Sequence, residues 1–448
     1  MGKKPISPAR TGAIRVLEQV LTRGDTLLDA LPGLDEHCSD PRDLALARDI
    51  VMGTCRRLGK IRHVLGHAAA KFDKFPHPVK RILEMSVYQL LFLDRVPAYA
   101  VISEAVELTR SRGMRNLTRP VNGILRTISR ETGGFPAPAK EEGFVQYLSI
   151  EQSHPAWLIG EWLERWNEED VEALCRYNNT QAPLSLRIRG SFEEAVRVLE
   201  QNGIAYERDE RFSNRLSIPA EAAMGKEWLE KDGWVVQDGA AMLVAQVAGA
   251  RPGQRIWDVC AAPGGKTFYL ADVMKDEGMI LATDKSEGRM QRLLARKEKL
   301  GLTCITCKAM DALQDRLLAD TPPFDVILVD VPCTGWGTFR RHPDLRWRLT
   351  PDDSPRLGDM AFNLLEGVKG HLKPGGVLVY STCTLSLREN GDVVTKFIYN
   401  NPDFVLDSVE TFLPEAFQGT VSKDGWMEIF PPKWGLDGAF AARIRKRC

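Results

Sequence analysis

The stretch Ile256-Trp257-Asp258-Val259-Cys260-Ala261-Ala262-Pro263-Gly264-Gly265-Lys266-Thr267 joins a short apolar strand to a helix. The strand ends in an acid. A turn of small residues, one Pro and two Gly follows, and Phe268-Tyr269-Leu270-Ala271 opens a helical pattern. Small residues let the backbone come close to a ligand, and the first helical turn offers N–H groups with no intrahelical partner. The stretch therefore predicts a cradle for a polar ligand. Its flanks bear on which ligand.

Downstream, strands and helices alternate from Val235 onward, the pattern of a doubly wound α/β domain. The candidate strands are 255–259, 279–283, 304–309, 326–329 and 376–380, followed by a closing pair at 426–430 and 439–444. Five parallel strands and a terminal hairpin are expected. The strand ends carry Asp258, Asp284, Asp311, Asp330 and Ser381-Thr382-Cys383 in turn. Ligands of such sheets bind beyond the carboxyl ends of the strands.

Three ligands compete for the cradle. A nucleoside triphosphate needs Gly, four residues, then Gly-Lys-Ser/Thr. Gly265-Lys266-Thr267 fit, but Cys260 stands where the first Gly belongs, and Pro263 removes an N–H from the loop. A dinucleotide needs Gly-x-Gly-x-x-Gly, which the turn lacks. A nucleoside cofactor without phosphates, S-adenosylmethionine, needs fewer donors and more carboxylates. Asp284 stands 26 residues after Asp258, placed to accept ribose hydroxyls. Asp311 is placed for the adenine amine. Any one acid is ordinarily a polar loop residue; four at successive strand ends favour the third ligand.

Upstream, residues 7–130 read as helices. Ser7-Pro8 is an N-cap with Pro in the first turn, Ile14, Leu17 and Leu21 share a face, and Gly24 closes the helix. Val79 to Leu93 is apolar enough for a buried central helix. Residues 133–140, Gly-Gly-Phe-Pro-Ala-Pro-Ala-Lys, read as a linker. Beyond it come a Trp-rich helix (Trp157, Trp162, Trp166), the alternating strand 184–188, and a capping box at Ser191-Phe192-Glu193-Glu194. Three domains follow: 1–140 all-α, 141–235 a small α+β segment, and 236–448 α/β.

Residues 1–140 hold 23 Lys and Arg against 14 Asp and Glu, on a chain whose formal net charge is zero. A basic helical domain is an electrostatic handle for a polyanion, and equally a solvated helix surface. No apolar run is long enough to span a bilayer, and the N-terminus lacks the apolar core of a signal peptide. Nine Cys, an odd number and scattered, suit free thiols in a reducing cytoplasm.

Cys333 and Cys383 each follow a strand end in a polar turn, in Asp330-Val331-Pro332-Cys333-Thr334-Gly335 and Tyr380-Ser381-Thr382-Cys383-Thr384. A lone Cys is usually a small core residue. Two at adjacent strand ends are poor core candidates. Thiolate addition suits cytosine, whose C5 is too weak a nucleophile for a methyl sulfonium. Addition at C6 pushes electron density onto C5; removal of the C5 proton then lets the thiolate leave. An acid near N3 offsets the developing charge.

Residues 258–267, Asp330-Val331-Pro332-Cys333-Thr334-Gly335, Arg340-Arg341-His342-Pro343-Asp344-Leu345-Arg346-Trp347, and Tyr380 to Thr384 with Glu389-Asn390 resemble the NOL1/NOP2/Sun family of RNA cytosine-C5 methyltransferases. Tyr88-Gln89-Leu90-Leu91 and residues 97–108 resemble a NusB-like RNA-binding domain, a pairing found in the Sun/Fmu branch. The resemblance implies a NusB-like helical domain and a Rossmann-like class I methyltransferase domain. It implies S-adenosylmethionine as cofactor, small subunit rRNA as substrate and a monomer without metal. It assigns Cys383 as nucleophile, Cys333 to product release and Asp330 to the activated ring. Cys260, Ala261, Ala262, Pro263, Gly264, Gly265 and Lys266, with Asp284, Asp311 and Asp330, match its cofactor contacts. Another RNA such as tRNA, or a non-catalytic RNA-binding factor, remains as an alternative. Two departures concern the seating of the target loop: bulky Trp336, and small residues through Asp437-Gly438-Ala439-Phe440-Ala441.

Past Cys333, Arg340, Arg341, Arg346 and Trp347 interleave cations and aromatics, a pattern that holds phosphates and stacks bases. The same pattern serves internal packing. Cys304 and Cys307 have metal-like spacing on a strand with no second pair, which favours a structural role over zinc.

Overall fold

The computed structural model describes residues 6–131, 134–223, 233–314, 317 and 321–448. Of the expected linker, Gly133 lies outside these. The chain forms two compact units. One comprises residues 1–181 with 339–351, and the other 182–338 with 352–448. The expected middle segment is thereby divided: its helices Phe144–Glu151, Ala156–Leu163 and Glu168–Asn178 join the helical unit, and its strands join the sheet unit.

The helical unit is built on Pro8–Glu18, Pro41–Arg56, Leu58–Ala68, His77–Phe92, Ala98–Ser111 and Thr118–Arg130. Ser7 caps the first helix by accepting from the Arg10 N–H, and Gly24 ends its π-helical extension at φ 87°. His77–Phe92 is the buried helix, with Ile82, Leu83, Met85 and Val87 inaccessible. Gly53 is obligatory beside it, since a Cβ there would meet the Tyr88 ring at 1.9 Å. The Tyr88 hydroxyl reaches past Gly53 to donate to Asp49.

The sheet unit holds two sheets. In the smaller, β1 (Leu184–Ile188), β2 (Glu207–Arg208), β3 (Arg215–Ile218) and β4 (Trp234–Val236) run in the order β2-β3-β1-β4, all antiparallel. Arg187 and Arg189 extend from it to Asp272 of the helix Gly265–Val273.

The larger sheet contains β5 (Arg255–Asp258), β6 (Met279–Asp284), β7 (Ile305–Ala309), β8 (Phe324–Asp330), β9 (Leu372–Thr382), β10 (Phe404–Asp407), β11 (Met427–Ile429) and β12 (Ala439–Lys446), in the order β10-β12-β9-β8-β5-β6-β7. The five expected parallel strands are β5 to β9. The closing pair is present, with β11 antiparallel to β12. Strand β12 also lies between β9 and an unanticipated β10, antiparallel to both. Ile256, Val326 and Leu328 enter the core on one face, and Trp257, Ile327 and Val329 the core on the other. Both faces are therefore covered, as parallel central strands require. Among the described residues, no helix is long and apolar enough to cross a membrane.

Candidate active site

The cradle is set by the sheet. The Val259 N–H donates to the Leu328 carbonyl (2.9 Å), and the Ala261 N–H to the Thr283 carbonyl (2.8 Å), so the turn leaves the ends of β5 and β6 at fixed height. Gly264 follows at φ 107°, where a Cβ would meet the Phe268 ring at 2.6 Å. Only Gly satisfies both the conformation and the clearance. Asp258 is buried beneath the turn and accepts from the Thr267 hydroxyl (2.7 Å). Burial pushes its carboxyl up to about 7.

Beyond the strand ends lies a cavity of about 260 Å³, bordered by Cys260, Ala262, Asp284, Asp311, Asp330 and the apolar Met310, Met360 and Leu364. Asp284 accepts from the Ser286 N–H (2.9 Å) and from Arg289 (3.0 Å). Asp311 takes the Leu313 N–H (3.0 Å). Three carboxylates beside an apolar wall fit a ribose, a flat base and a cationic sulfonium. They would repel a triphosphate. Lys266, the residue a P-loop would aim at phosphate, is instead tied to Asp330 (2.7 Å). Burial opposes its charge, but Asp330 outweighs that and raises its pKa. The Cys260 thiol is pushed up by burial and then by the surrounding acids, which makes it inert.

Asp330 is held from both sides, by Lys266 and by the Ser381 hydroxyl (2.7 Å). In the β8–β9 register Asp330 faces Ser381. Three residues beyond Asp330 and two beyond Ser381, the Cys333 and Cys383 sulfurs lie 3.3 Å apart. The Cys383 N–H also points at the Cys333 sulfur (3.4 Å). Cys383 is exposed and Cys333 half-buried. The Cys333 thiol is raised well above its ordinary value, first by its hydrogen bond with Cys383 and then by burial. A protonated Cys333 can donate to a Cys383 thiolate and stabilise it.

The two departures noted in the sequence meet here. The Gly337 N–H donates to the Cys383 carbonyl (3.0 Å), and the Gly438 N–H to the Gly337 carbonyl (2.8 Å). A Cβ on Gly438 would come within 2.6 Å of the Gly337 Cα. The small residues before β12 thus let the Cys333 turn pass between the Cys383 turn and β12, with Trp336 buried behind it.

Sequence reasoning assigned no role to four residues that frame the thiols: Thr334, Thr384, Glu389 and Asn390. Asn390 donates to the Thr384 carbonyl (3.0 Å) and accepts from the Thr382 hydroxyl (2.6 Å), fixing the turn on both sides of Cys383. The available signal was a Thr immediately after each Cys.

The loop past Cys333 behaves otherwise than its composition suggested. Arg346 is wholly inaccessible inside the helical unit, donating to Asn179 Oδ1 (3.0 Å) and to the carbonyls of Ser153 (3.2 Å), Asn178 (3.3 Å) and Phe339 (3.4 Å). Burial lowers its pKa to about 9. Trp347 donates its indole N–H to the Cys55 carbonyl (2.7 Å). Arg340 lies over the Tyr177 ring, 4.7 Å from its centroid, and donates to the Tyr177 hydroxyl and the Gln181 carbonyl. Arg341 is half-buried. The RNA contact expected of Arg346 is therefore corrected: the side chain is wholly buried and both its terminal nitrogens donate inside the protein. Cys304 is buried and Cys307 half-buried on or beside β7, and no cluster of metal-ligating side chains occurs among the described residues.

A parallel sheet with acids at successive strand ends above a Gly-rich turn defines a nucleoside-cofactor methyltransferase fold. Residues 245–445 match the model for 16S rRNA methyltransferase RsmB/F, residues 7–130 the NusB family, and residues 154–222 a ferredoxin-like domain of RsmF/B-like methyltransferases. The chain is 33% identical to the Probable ribosomal RNA small subunit methyltransferase B of Bacillus subtilis (strain 168), covering 100% of both chains. It is 31% identical to ribosomal RNA small subunit methyltransferase B of Klebsiella pneumoniae, covering 98% of each. The crystal structure of PH0851 superposes at a TM-score of 0.84 with 25% identity, over 99% of this chain and 100% of that one. A methyltransferase homologue from Pyrococcus horikoshii gives 0.56 and 25%, over 68% and 99%. The chain belongs to the 16S rRNA methyltransferase RsmB/F family, on the ribosomal RNA small subunit methyltransferase B side.

Proposed function

We propose that this protein methylates C5 of a cytosine in small subunit rRNA, in the cytoplasm, through a covalent bond between Cys383 and C6. The observation that carries the reading is the Cys333–Cys383 pair, 3.3 Å apart and adjoining an Asp330 held by Lys266 and Ser381. Asp284, Asp311 and the 260–266 turn would hold S-adenosylmethionine in the cavity they border. When bound, it supplies an electrophilic methyl group.

Cys383, as thiolate, adds to C6 and moves an electron pair toward C5 and N3. Asp330 delivers a proton to N3, relayed from the Lys266 ammonium bonded to it, and so offsets the negative charge that develops on the ring. After C5 has taken the methyl group, water takes the C5 proton and N3 returns its proton to Asp330; the C5–H electron pair re-forms the C5–C6 double bond, and the C6–S bond breaks to return Cys383 as thiolate. Cys333, hydrogen-bonded to the departing sulfur, assists that release.

The test separates the thiols. With unmodified small subunit rRNA and methyl-labelled cofactor, Cys383→Ala is expected to give neither product nor covalent RNA. Cys333→Ala is expected to transfer one methyl group and then accumulate an enzyme–RNA adduct on denaturing gels. Turnover by Cys383→Ala would refute the mechanism. Calorimetry adds a second check, with binding of S-adenosylmethionine expected and binding of ATP not.

A further inference from the structure

Glu389 is buried at 1% exposure in the short turn Leu387–Glu389, and both its carboxyl oxygens accept from Thr334, with Ser354 a further hydrogen-bond donor to the carboxyl. Oε2 accepts the Thr334 N–H (2.8 Å) and Oε1 accepts the Thr334 hydroxyl (2.6 Å). The Thr334 and Thr384 hydroxyl oxygens lie 2.7 Å apart. With the Thr334 proton given to the carboxylate, Thr384 is the donor in that bond. Thr334 directly follows Cys333, and Thr384 directly follows Cys383. The chain from Glu389 through Thr334 to Thr384 is therefore a clasp across the two cysteine turns, one residue from each sulfur.

A buried carboxylate is a costly way to join two turns, because apolar side chains would fill the same space with less desolvation. What the carboxylate adds is direction. Its two acceptor oxygens define where the Thr334 backbone lies, and hence where Cys333 sits. We propose that Glu389 is a positioning residue: through Thr334 and Thr384 it holds the Cys333 turn against the Cys383 turn, and release of methylated RNA depends on it. The inference rests on the thiol-adduct reading above.

The clasp is closed by the ionised form. Burial raises the Glu389 carboxyl to about 7, reinforced by Asp353 and opposed by hydrogen bonds from Thr334 and Ser354. The other titratable groups facing it are Cys333 and the Tyr380 hydroxyl, which donates to the Glu389 carbonyl. Protonation turns one acceptor oxygen into a donor and leaves a Thr334 donor unmet. Release therefore slows as pH falls through about 7.

The test uses the full chain, an unmodified small subunit rRNA transcript and methyl-labelled S-adenosylmethionine. For Glu389→Gln, the first turnover is expected within about three-fold of wild type. The steady-state kcat is expected to fall at least ten-fold, with covalent enzyme–RNA accumulating and cofactor binding changed less than two-fold. The wild-type kcat should show a limb near pH 7 that the variant lacks. Thr384→Val cuts the link between the turns while leaving Glu389 on Thr334; it should accumulate the same adduct, and it decides the matter should Glu389→Gln fold poorly. The inference is overturned by steady turnover of both variants within two-fold of wild type. It is equally overturned by joint loss of first turnover and cofactor binding, the signature of a merely structural residue. Turnover by Cys383→Ala, or no adduct from Cys333→Ala, would instead defeat the thiol reading whatever the clasp variants do.

Discussion

Asp258 and Arg346 show how one side chain's surroundings determine its behaviour. The Asp258 carboxyl is ordinarily half-ionised near pH 4 and here only near 7. Between those values the unfolded chain has lost the proton while the folded one keeps it. Stability therefore falls as pH rises across that window, by up to about 4 kcal/mol in all, and is flat on either side. Asp258→Asn keeps an oxygen for the Thr267 hydroxyl and cannot titrate. Relative to wild type, the ligand-free variant is expected to gain stability steadily from pH 4 to pH 7, as read by urea unfolding at several pH values. A gap independent of pH would contradict the assignment. Arg346 presents the opposite case, a buried cation whose donors satisfy one amide oxygen and three carbonyls. Arg346→Met relieves the burial of a charge but strands those acceptors. Four stranded acceptors outweigh it, and a loss on the order of 3 kcal/mol is expected in the urea unfolding of the helical unit.

At the level of elements, the site depends on a strand-to-turn crossing that only glycine permits. Gly337 and Gly438 touch backbone to backbone, and a Cβ on Gly438 would also meet Leu385 at 2.9 Å. Because backbone cannot rotate away as a side chain can, Gly438→Ala should displace the Cys333 turn or β12. The expected cost is about 1–3 kcal/mol of stability. Methylation should fall at least ten-fold while cofactor binding stays near wild type, since the cradle on β5 is remote from the crossing in the sheet order. Unchanged methylation in Gly438→Ala would show that the crossing tolerates displacement. Strand β10 illustrates what pattern reading misses at this scale. Phe404-Val405-Leu406-Asp407 is four residues long with no alternation, and it is a strand because the long β12 offers it an edge.

At the level of the molecule, the chain crosses between its units. Residues 339–351 leave the sheet unit after β8 and belong to the helical one. Within that unit Asp344 accepts the Leu27 N–H (3.2 Å), and Trp347 and Arg346 make the bonds described above. A fragment of residues 1–181 therefore lacks part of its own interior. It is expected to melt below the same fragment supplied with a synthetic 339–351 peptide, and the peptide should raise its Tm by several degrees. A peptide carrying Arg346→Met should not. Equal melting with and without the wild-type peptide would mean that the segment is not integral to the unit.

The sequence by itself determined the cradle, the five parallel strands with acids at the ends of four, the helical domain and the two thiols. Each rests on local constraints: the clearance demanded of Gly264, the apolar runs of two-sided strands, the periodicity of helices, the motif around each Cys. Only the tertiary structure decided that the sulfurs stand 3.3 Å apart, that Glu389 clasps the turns bearing them, and that Arg346 is internal. The physical reason is the same in each case. A side chain's chemistry is written in its type, but its partner is set by contacts between residues distant in the chain. Thr334 and Glu389 are 55 positions apart, and Arg346 and Asn179 are 167 apart. An Arg among aromatics has the same composition whether it meets a phosphate or a ring of carbonyls, and packing alone selects between them.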